Sequence, residues 1–170
     1  MSDQSVIGRR LRKVDGSAKA TGKAVYTDDI ILPGMLHAKI LRSPHAHARI
    51  LSIDTSEAEA MPGVRGVVLG HEMPKRYGII PWTPDEQALA VDKVRYIGDG
   101  VAAVAAVDED TANAAIRKIK VEYEVLEALM DPKVAAARSD LVIHDWDPRQ
   151  VEKKGNISKH VDLAFGDVDG

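Results

Sequence analysis

Cysteine is absent from all 170 residues of this sequence. Disulfides, thiolate metal ligands, cysteine-bound iron–sulfur clusters and thiol nucleophiles are therefore excluded from the chain. Any redox metal centre that works with this chain must lie elsewhere.

Long apolar runs and a strong excess of one charge are also missing. The longest apolar run, Val101–Val107, is far shorter than the roughly 20 residues that cross a bilayer. A net charge of −3 gives no broad attraction for nucleic acid or anionic lipid. The N-terminus is polar and lacks the apolar segment of a secretory signal. We therefore expect a cytoplasmic chain with no membrane span and no nucleic-acid partner.

The composition is that of an ordinary globular domain with few aromatic residues. Hydrophobic residues make up 45% of the chain and aromatic residues only 4%, so Val, Ile, Leu and Ala must fill the core. Alternating or continuous apolar patterns favour strands, and turn or capping residues bound the shorter elements. The predicted strands are 35–42, 48–54 and 64–69, and a short helix is predicted within 54–61.

The second half of the chain carries the strongest helix signal. Apolar residues recur at helical spacing within 108–119, after acidic residues suited to a helix N-terminus. This helix lies between the apolar run Val101–Val107 and an alternating segment, 120–126, which predicts a right-handed βαβ crossover with a central first strand. Gly98-Asp99-Gly100 is expected to be a hairpin turn after a strand at 94–97. Pro132 predicts the start of a short final helix.

The pattern along the chain predicts three regions. Residues 1–27 form an extended, basic arm, which is solvated or contacts another subunit. Residues 28–145 form a mixed α/β (α+β) domain, and the loop 71–84 within it is long enough to have a contact role. Residues 146–170 form a linker and the start of a further domain, because 160–165 alternates like a strand.

Each candidate chemical motif has a simpler structural interpretation. His45 and His47 could share a metal ion, but a third ligand is missing, and solvated or backbone-bonded histidines are the more usual outcome. Gly98-Asp99-Gly100 resembles the start of a dinucleotide-binding loop, yet the third glycine and the following helix are absent. Asp28-Asp29 is typical of a turn. The residues therefore predict no catalytic, cofactor-binding or metal-binding side chain in this chain.

Several sequence blocks nevertheless resemble one protein family in order and spacing. They are 12–26 (RKVDGSAKATGKAVY), 29–36 (DIILPGML), 41–50 (LRSPHAHARI), 92–104 (DKVRYIGDGVAAV), 121–126 (VEYEVL) and 165–168 (FGDV). This pattern resembles the start of the large subunit of the molybdenum hydroxylases, the xanthine dehydrogenase and aldehyde oxidase family. One departure is Gly100, where the family usually has proline, and this change loosens the turn.

The resemblance implies an α/β hammerhead domain with a mixed sheet and a few short helices, placed before the domains that hold molybdopterin. It implies that iron–sulfur clusters and FAD lie on other domains or subunits, which would be the partners of this chain together with the rest of the large subunit. The segment alone is expected to be inactive. The expected contacts with other domains or subunits are Arg42, His45, His47, Gly98 and Asp99.

Residues 42–55 and 77–81 most resemble the α subunit of 4-hydroxybenzoyl-CoA reductase within this family. That likeness would imply reductive removal of a phenolic hydroxyl, while a hydroxylase of purines, aldehydes or N-heterocycles stays open. Two alternatives to a segment of a larger subunit also stay open. The chain could be a free-standing ligand- or partner-binding module, or one chain of a split large subunit.

Overall fold

The computed structural model describes residues 7–78, 85–145 and 155–166. It divides the chain into two compact units, Met1–Met35 and Leu36–Gly170. In the first unit, α1 (Gly16–Ala20) and a 3-10 turn (Thr27–Asp29) have no buried residue. Asp29 accepts a hydrogen bond from the backbone N–H of Tyr26 at 2.9 Å, as expected for a turn.

The second unit contains two small sheets. Its strands are β1 (His37–Arg42), β2 (Ala48–Asp54), β3 (Val64–Leu69), β4 (Lys93–Val94), β5 (Gly100–Ala106) and β6 (Lys120–Val125). One sheet has the order β1-β5-β3 and the other β4-β2-β6. All of these strand pairs are antiparallel. The mixed α/β class is confirmed, but neither sheet mixes parallel and antiparallel pairs.

The predicted βαβ crossover and hairpin are both wrong. β5 and β6 flank a helix but belong to different sheets, and so do β4 and β5. The chain between β4 and β5 therefore links two sheets and does not close a hairpin. The strand expected at 94–97 is instead the two-residue strand β4, and residues 95–97 lie outside its sheet. The prediction that Val101–Val107 supplies a central strand is confirmed, because β5 pairs with β1 and β3.

The helices in this unit are α2 (Ser56–Glu59), α3 (Glu109–Ile116) and α4 (Pro132–Ala137). Asp108 caps α3 by accepting a hydrogen bond from the backbone N–H of Thr111 at 2.7 Å, which lowers the pKa of its carboxyl. Asp131 caps α4 in the same way, and Pro132 occupies the first turn. The longest helix of the described residues has eight residues, so none of them could cross a membrane.

Two apolar clusters form the core. Ala102 and Val104 of β5 pack with Ala58 of α2 and Ala115 of α3. Val101, on the other side of β5, packs with Ala48 of β2 and with Val94 of β4. The core therefore lies on both faces of β5, and its alanines let the helices and the second sheet approach closely.

Residues 155–166 contain no strand, so the strand expected at 160–165 is wrong. Phe165, at the end of this segment, is 84% exposed. The segment is instead anchored by one amide: Asn156 Oδ1 accepts a hydrogen bond from Ile143 N at 2.8 Å. Asn156 Nδ2 donates to the carbonyls of Ala135, Leu141 and Arg138 at 3.0, 2.8 and 3.2 Å. The expected linker residues 146–154 lie outside the described residues, as do 79–84 of the predicted contact loop.

Gly70 offers a direct test of the close packing after β3. A Cβ at this position would lie 2.5 Å from the carbonyl oxygen of Ala90 and 2.7 Å from that of Leu89. Gly70→Ala should therefore lower the free energy of unfolding by about 1–3 kcal/mol, measured by urea denaturation. Gly66→Ala is the matched control, because a Cβ there meets nothing within 4 Å. Equal unfolding free energies for the two variants would contradict this packing.

Asn156→Asp tests the anchor at the end of the unit. The substitution replaces the amide donors by a carboxylate oxygen facing three carbonyls, which should lower the free energy of unfolding by about 1–3 kcal/mol at neutral pH. Ser158→Ala, at an exposed position two residues away, should change it by less than about 0.5 kcal/mol. The same denaturation measurement decides, and a neutral Asn156→Asp would show that these hydrogen bonds contribute little.

Candidate domain contact site

The structure brings together three of the five expected contact residues. Arg42 ends β1, and its Nη1 donates to the carbonyl of Gly98 at 2.8 Å. The backbone of Ser43 completes the link, donating to Asp99 O at 2.8 Å and accepting from Gly98 N at 2.9 Å. Gly98 has φ of +92°, a left-handed conformation that favours glycine. Arg42, Gly98 and Asp99 thus form one hydrogen-bonded turn at the end of β1.

The carboxylate of Asp99 interacts with two residues that precede this turn, Arg95 and Tyr96. Its Oδ2 accepts a hydrogen bond from the backbone N–H of Arg95 at 3.0 Å. Its negative charge, followed by burial, raises the pKa of Tyr96 above the ordinary tyrosine value, because a second negative charge would form nearby. The Tyr96 phenol therefore stays neutral across the physiological pH range.

The two remaining candidates, His45 and His47, have separate partners. The ring of His45 packs edge-on against Tyr123, with centroids 5.0 Å apart and planes at 71°. His47 is 3% exposed, and its Nδ1 lies 2.8 Å from the carbonyl oxygen of Glu127, to which it donates. The described residues contain no group of three or more His, Cys, Asp or Glu side chains that could hold a metal ion. His45 therefore packs against an aromatic ring, and His47 is hydrogen-bonded to the backbone.

Lys93 and Arg95 are functional candidates that the sequence patterns did not single out. Both side chains are only 8% exposed. Lys93 Nζ donates to Asp145 Oδ2 at 3.0 Å and to the carbonyl of Val142 at 3.2 Å, while Arg95 Nε donates to the carbonyl of Ile143 at 3.1 Å. Two basic residues at alternate positions in a strand-like segment were the available signal, since such residues share one side. Together they fasten residues 142–145 to the end of β4.

The pKa of Asp145 shows how this cluster is balanced. Burial would raise the pKa, but the hydrogen bond and the charge of Lys93 outweigh it, and the pKa is lowered. The carboxylate therefore remains ionised between the two cations. Neutral Asp145 would leave Lys93 without its anion and Arg95 with only Asp92, whose Oδ1 lies 3.9 Å away, so the cluster depends on the ionised form.

Two cavities adjoin this region. The first has a volume of about 180 Å³ and is walled by the apolar residues Ala46, Ile97, Ala128, Leu129, Met130 and Ile143. His47, Arg95 and Tyr96 complete its lining. The second has a volume of about 220 Å³, and its charged or titratable lining residues include Asp85, Glu86, Asp99, Arg95 and His144. Arg95 and Tyr96 line both cavities, so the segment before the turn separates an apolar space from a polar one.

Comparison with known proteins agrees with this architecture. Residues 21–127 match the family model described as the a/b hammerhead domain of aldehyde oxidase and xanthine dehydrogenase. A probable xanthine dehydrogenase subunit of Bacillus subtilis is 41% identical over 91% of this chain and 20% of its own length. The nicotinate dehydrogenase large molybdopterin subunit of Eubacterium barkeri is 40% identical over 98% of this chain and 37% of its own length.

A solved structure gives the same result. The aldehyde oxidoreductase of Desulfovibrio gigas superposes with a TM-score of 0.70 and 34% identity, over 77% of this chain and 16% of that one. The chain thus spans only a fifth to little more than a third of the two curated relatives. The matched domain includes β1 to β6, the Gly98 turn and both core clusters. This chain belongs to the aldehyde oxidase and xanthine dehydrogenase family and carries its α/β hammerhead domain.

Proposed function

We propose that this chain is a structural and assembly domain of the large subunit of a molybdopterin-dependent oxidoreductase. The observation that carries the proposal is a family match over residues 21–127, in a chain whose described cavities hold no cofactor-binding chemistry. Catalysis and electron transfer then belong to other parts of the enzyme. Iron–sulfur and FAD domains or subunits are the partners that the family likeness supports, and a cytoplasmic location remains a prediction.

The described residues do not fit molybdopterin itself. The cofactor is anionic, and it needs donor groups for its phosphate and pterin ring. The larger cavity is lined by the acidic residues Asp85, Glu86 and Asp99, which disfavour an anion. Its two basic residues are engaged elsewhere, because His144 lies 3.0 Å from Asp85 and Arg95 donates to backbone carbonyls. The smaller cavity is mostly apolar. Its one cationic residue, Arg95, already donates hydrogen bonds to the carbonyls of Ile143 and Lys93. We therefore assign no step of the reaction to this chain.

The role that we assign to the turn at Gly98 and to the histidines is contact. Arg42, Gly98 and Asp99 form a rigid turn whose hydrogen bonds are made internally. His45 and His47 fix the loop between β1 and β2 against Tyr123 and Glu127. A face held in this way can pack against another domain without first being ordered, which lowers the entropy cost of association.

The substrate class is a finer proposal. Residues 42–55 and 77–81 support 4-hydroxybenzoyl-CoA reductase, and the relatives named above support a hydroxylase of purines or N-heterocycles. Turnover of 4-hydroxybenzoyl-CoA with a strong reductant, set against oxidation of xanthine, nicotinate and aldehydes, separates these in the assembled enzyme. Oxidation of a heterocycle alone would remove the reductase assignment.

Metal analysis tests the main proposal. The full-length large subunit, produced with its partner subunits, should contain stoichiometric molybdenum and pterin, whereas the 170-residue chain produced alone should contain neither. Mass spectrometry for molybdenum and fluorescence of the oxidised pterin provide the two measurements. Stoichiometric molybdenum or substrate turnover in the 170-residue chain alone would overturn the proposal.

The reading frame separates this proposal from its two alternatives. A frame that continues past Gly170 into the remainder of a large subunit supports it directly. A stop codon there, with co-purification of a molybdenum-containing partner, indicates a split subunit. A stop codon without such a partner indicates a free-standing module.

A further inference from the structure

The apolar cavity beside β4 is large enough to receive a side chain from another part of the protein. Its volume of about 180 Å³ exceeds the roughly 150 Å³ of an apolar protein cavity that binds benzene. It can therefore hold one side chain between leucine and phenylalanine in size.

Two polar residues that line this cavity, Arg95 and His47, already donate hydrogen bonds to backbone carbonyls. Arg95 donates to the carbonyls of Ile143, at 3.1 Å, and Lys93, at 2.9 Å. His47 donates from Nδ1 to the carbonyl of Glu127. Its Nε2 is then an acceptor with no partner among the described residues, but neighbouring atoms cover it, so an incoming group does not reach it. An apolar occupant fits this lining better than a polar one.

The rim of the cavity is apolar and exposed. Tyr96, Ile97 and Met130 are 59%, 68% and 80% exposed and meet around the same opening. Single exposed apolar residues are ordinary, but three of them around an apolar cavity form the kind of patch that marks an interaction surface.

The position of the cavity indicates what fills it. The family match ends at residue 127, and four wall residues lie beyond it: Ala128, Leu129, Met130 and Ile143. The cavity therefore forms where the hammerhead domain meets the chain that follows it. The Bacillus subtilis relative is about five times as long as the part that this chain matches, since 20% of it is covered. In such a relative, about four fifths of the subunit is covalently linked to this domain and is available to supply a side chain to the opening.

We infer that the cavity receives one apolar side chain, of leucine to phenylalanine size, from the part of the large subunit outside these 170 residues. The inference rests on the proposed role as an assembly domain. Tyr96, Ile97 and Met130 are the rim that this docking covers, and the raised pKa of Tyr96 beside Asp99 keeps its phenol uncharged within the apolar contact.

Oxidation of Met130 by hydrogen peroxide tests the inference, because methionine oxidation follows exposure. Peptide mass spectrometry should show rapid oxidation in the 170-residue chain and slowing by about tenfold or more in the molybdenum-loaded full-length subunit. Met73 is the matched internal control. It is 38% exposed and does not line the cavity, so its rate should change far less. Equal Met130 rates in the two proteins would overturn the inference while leaving the proposed function intact.

A cavity-filling variant adds a second readout. Ala46→Phe places a ring inside the cavity, so Met130 protection should be lost in the full-length subunit, whereas Ala46→Ser should retain it. Retained protection in folded Ala46→Phe would show that the cavity is not the docking point. If Ala46→Phe does not fold, the wild-type comparison of Met130 with Met73 still decides.

Protection that appears in the 170-residue chain at high concentration would instead identify a second copy as the occupant and overturn the assignment. A full-length subunit without molybdenum would overturn the proposed function separately.

Discussion

The small side chains of β5 are the constraint on which the rest of this domain depends. This strand pairs on both edges, and it is covered along one face and, at Val101, on the other, so its buried residues have little room for bulk. Ala102 and Ala106 are fully buried, and so are Ala112 and Ala115 of the helix that packs on the strand. Close approach of backbones replaces the large aromatic residues that the composition lacks, and dispersion contacts between many small groups stabilise the core.

A second, electrostatic constraint holds the far end of the domain. Lys93 and Arg95 bring two nearly buried cations to the end of the short strand β4. Their partners include Asp145, the carbonyls of 142 and 143 and, for Arg95, Asp92. Removing charges from water is costly, so such a cluster stabilises the fold only when its partners are held in place. It therefore fixes the path of the chain after α4 and shapes both cavities, because Arg95 lines each of them.

Local patterns predicted the elements better than their arrangement. The strands at 48–54 and 64–69, the capped helix α3 and the helix that begins at Pro132 follow from periodicity and capping, which act over a few residues. The crossover failed because strand partners are chosen by contacts far apart in sequence, and β5 and β6 join different sheets. Apolar and polar residues alternate in the segment 160–165 as they do in a strand. Alternation gives a strand only where a neighbouring strand supplies hydrogen bonds, and this segment is not paired. The same limit applies to the site. The hydrogen bond between Arg42 and Gly98 depends on how the chain folds between them, and the spacing of residues in the sequence does not predict it.

The anchor made by Asn156 has a consequence for how the domain forms during synthesis. Its amide bonds to carbonyls and an N–H of residues 135–143, which precede it by 13 to 21 positions. Both sheets and all helices of the described residues can therefore assemble before the anchor has left the ribosome, but the loop after α4 cannot close until it has. Since chains fold from the N-terminus during synthesis, the hydrogen bonds of Asn156 are among the last contacts of the described domain to form.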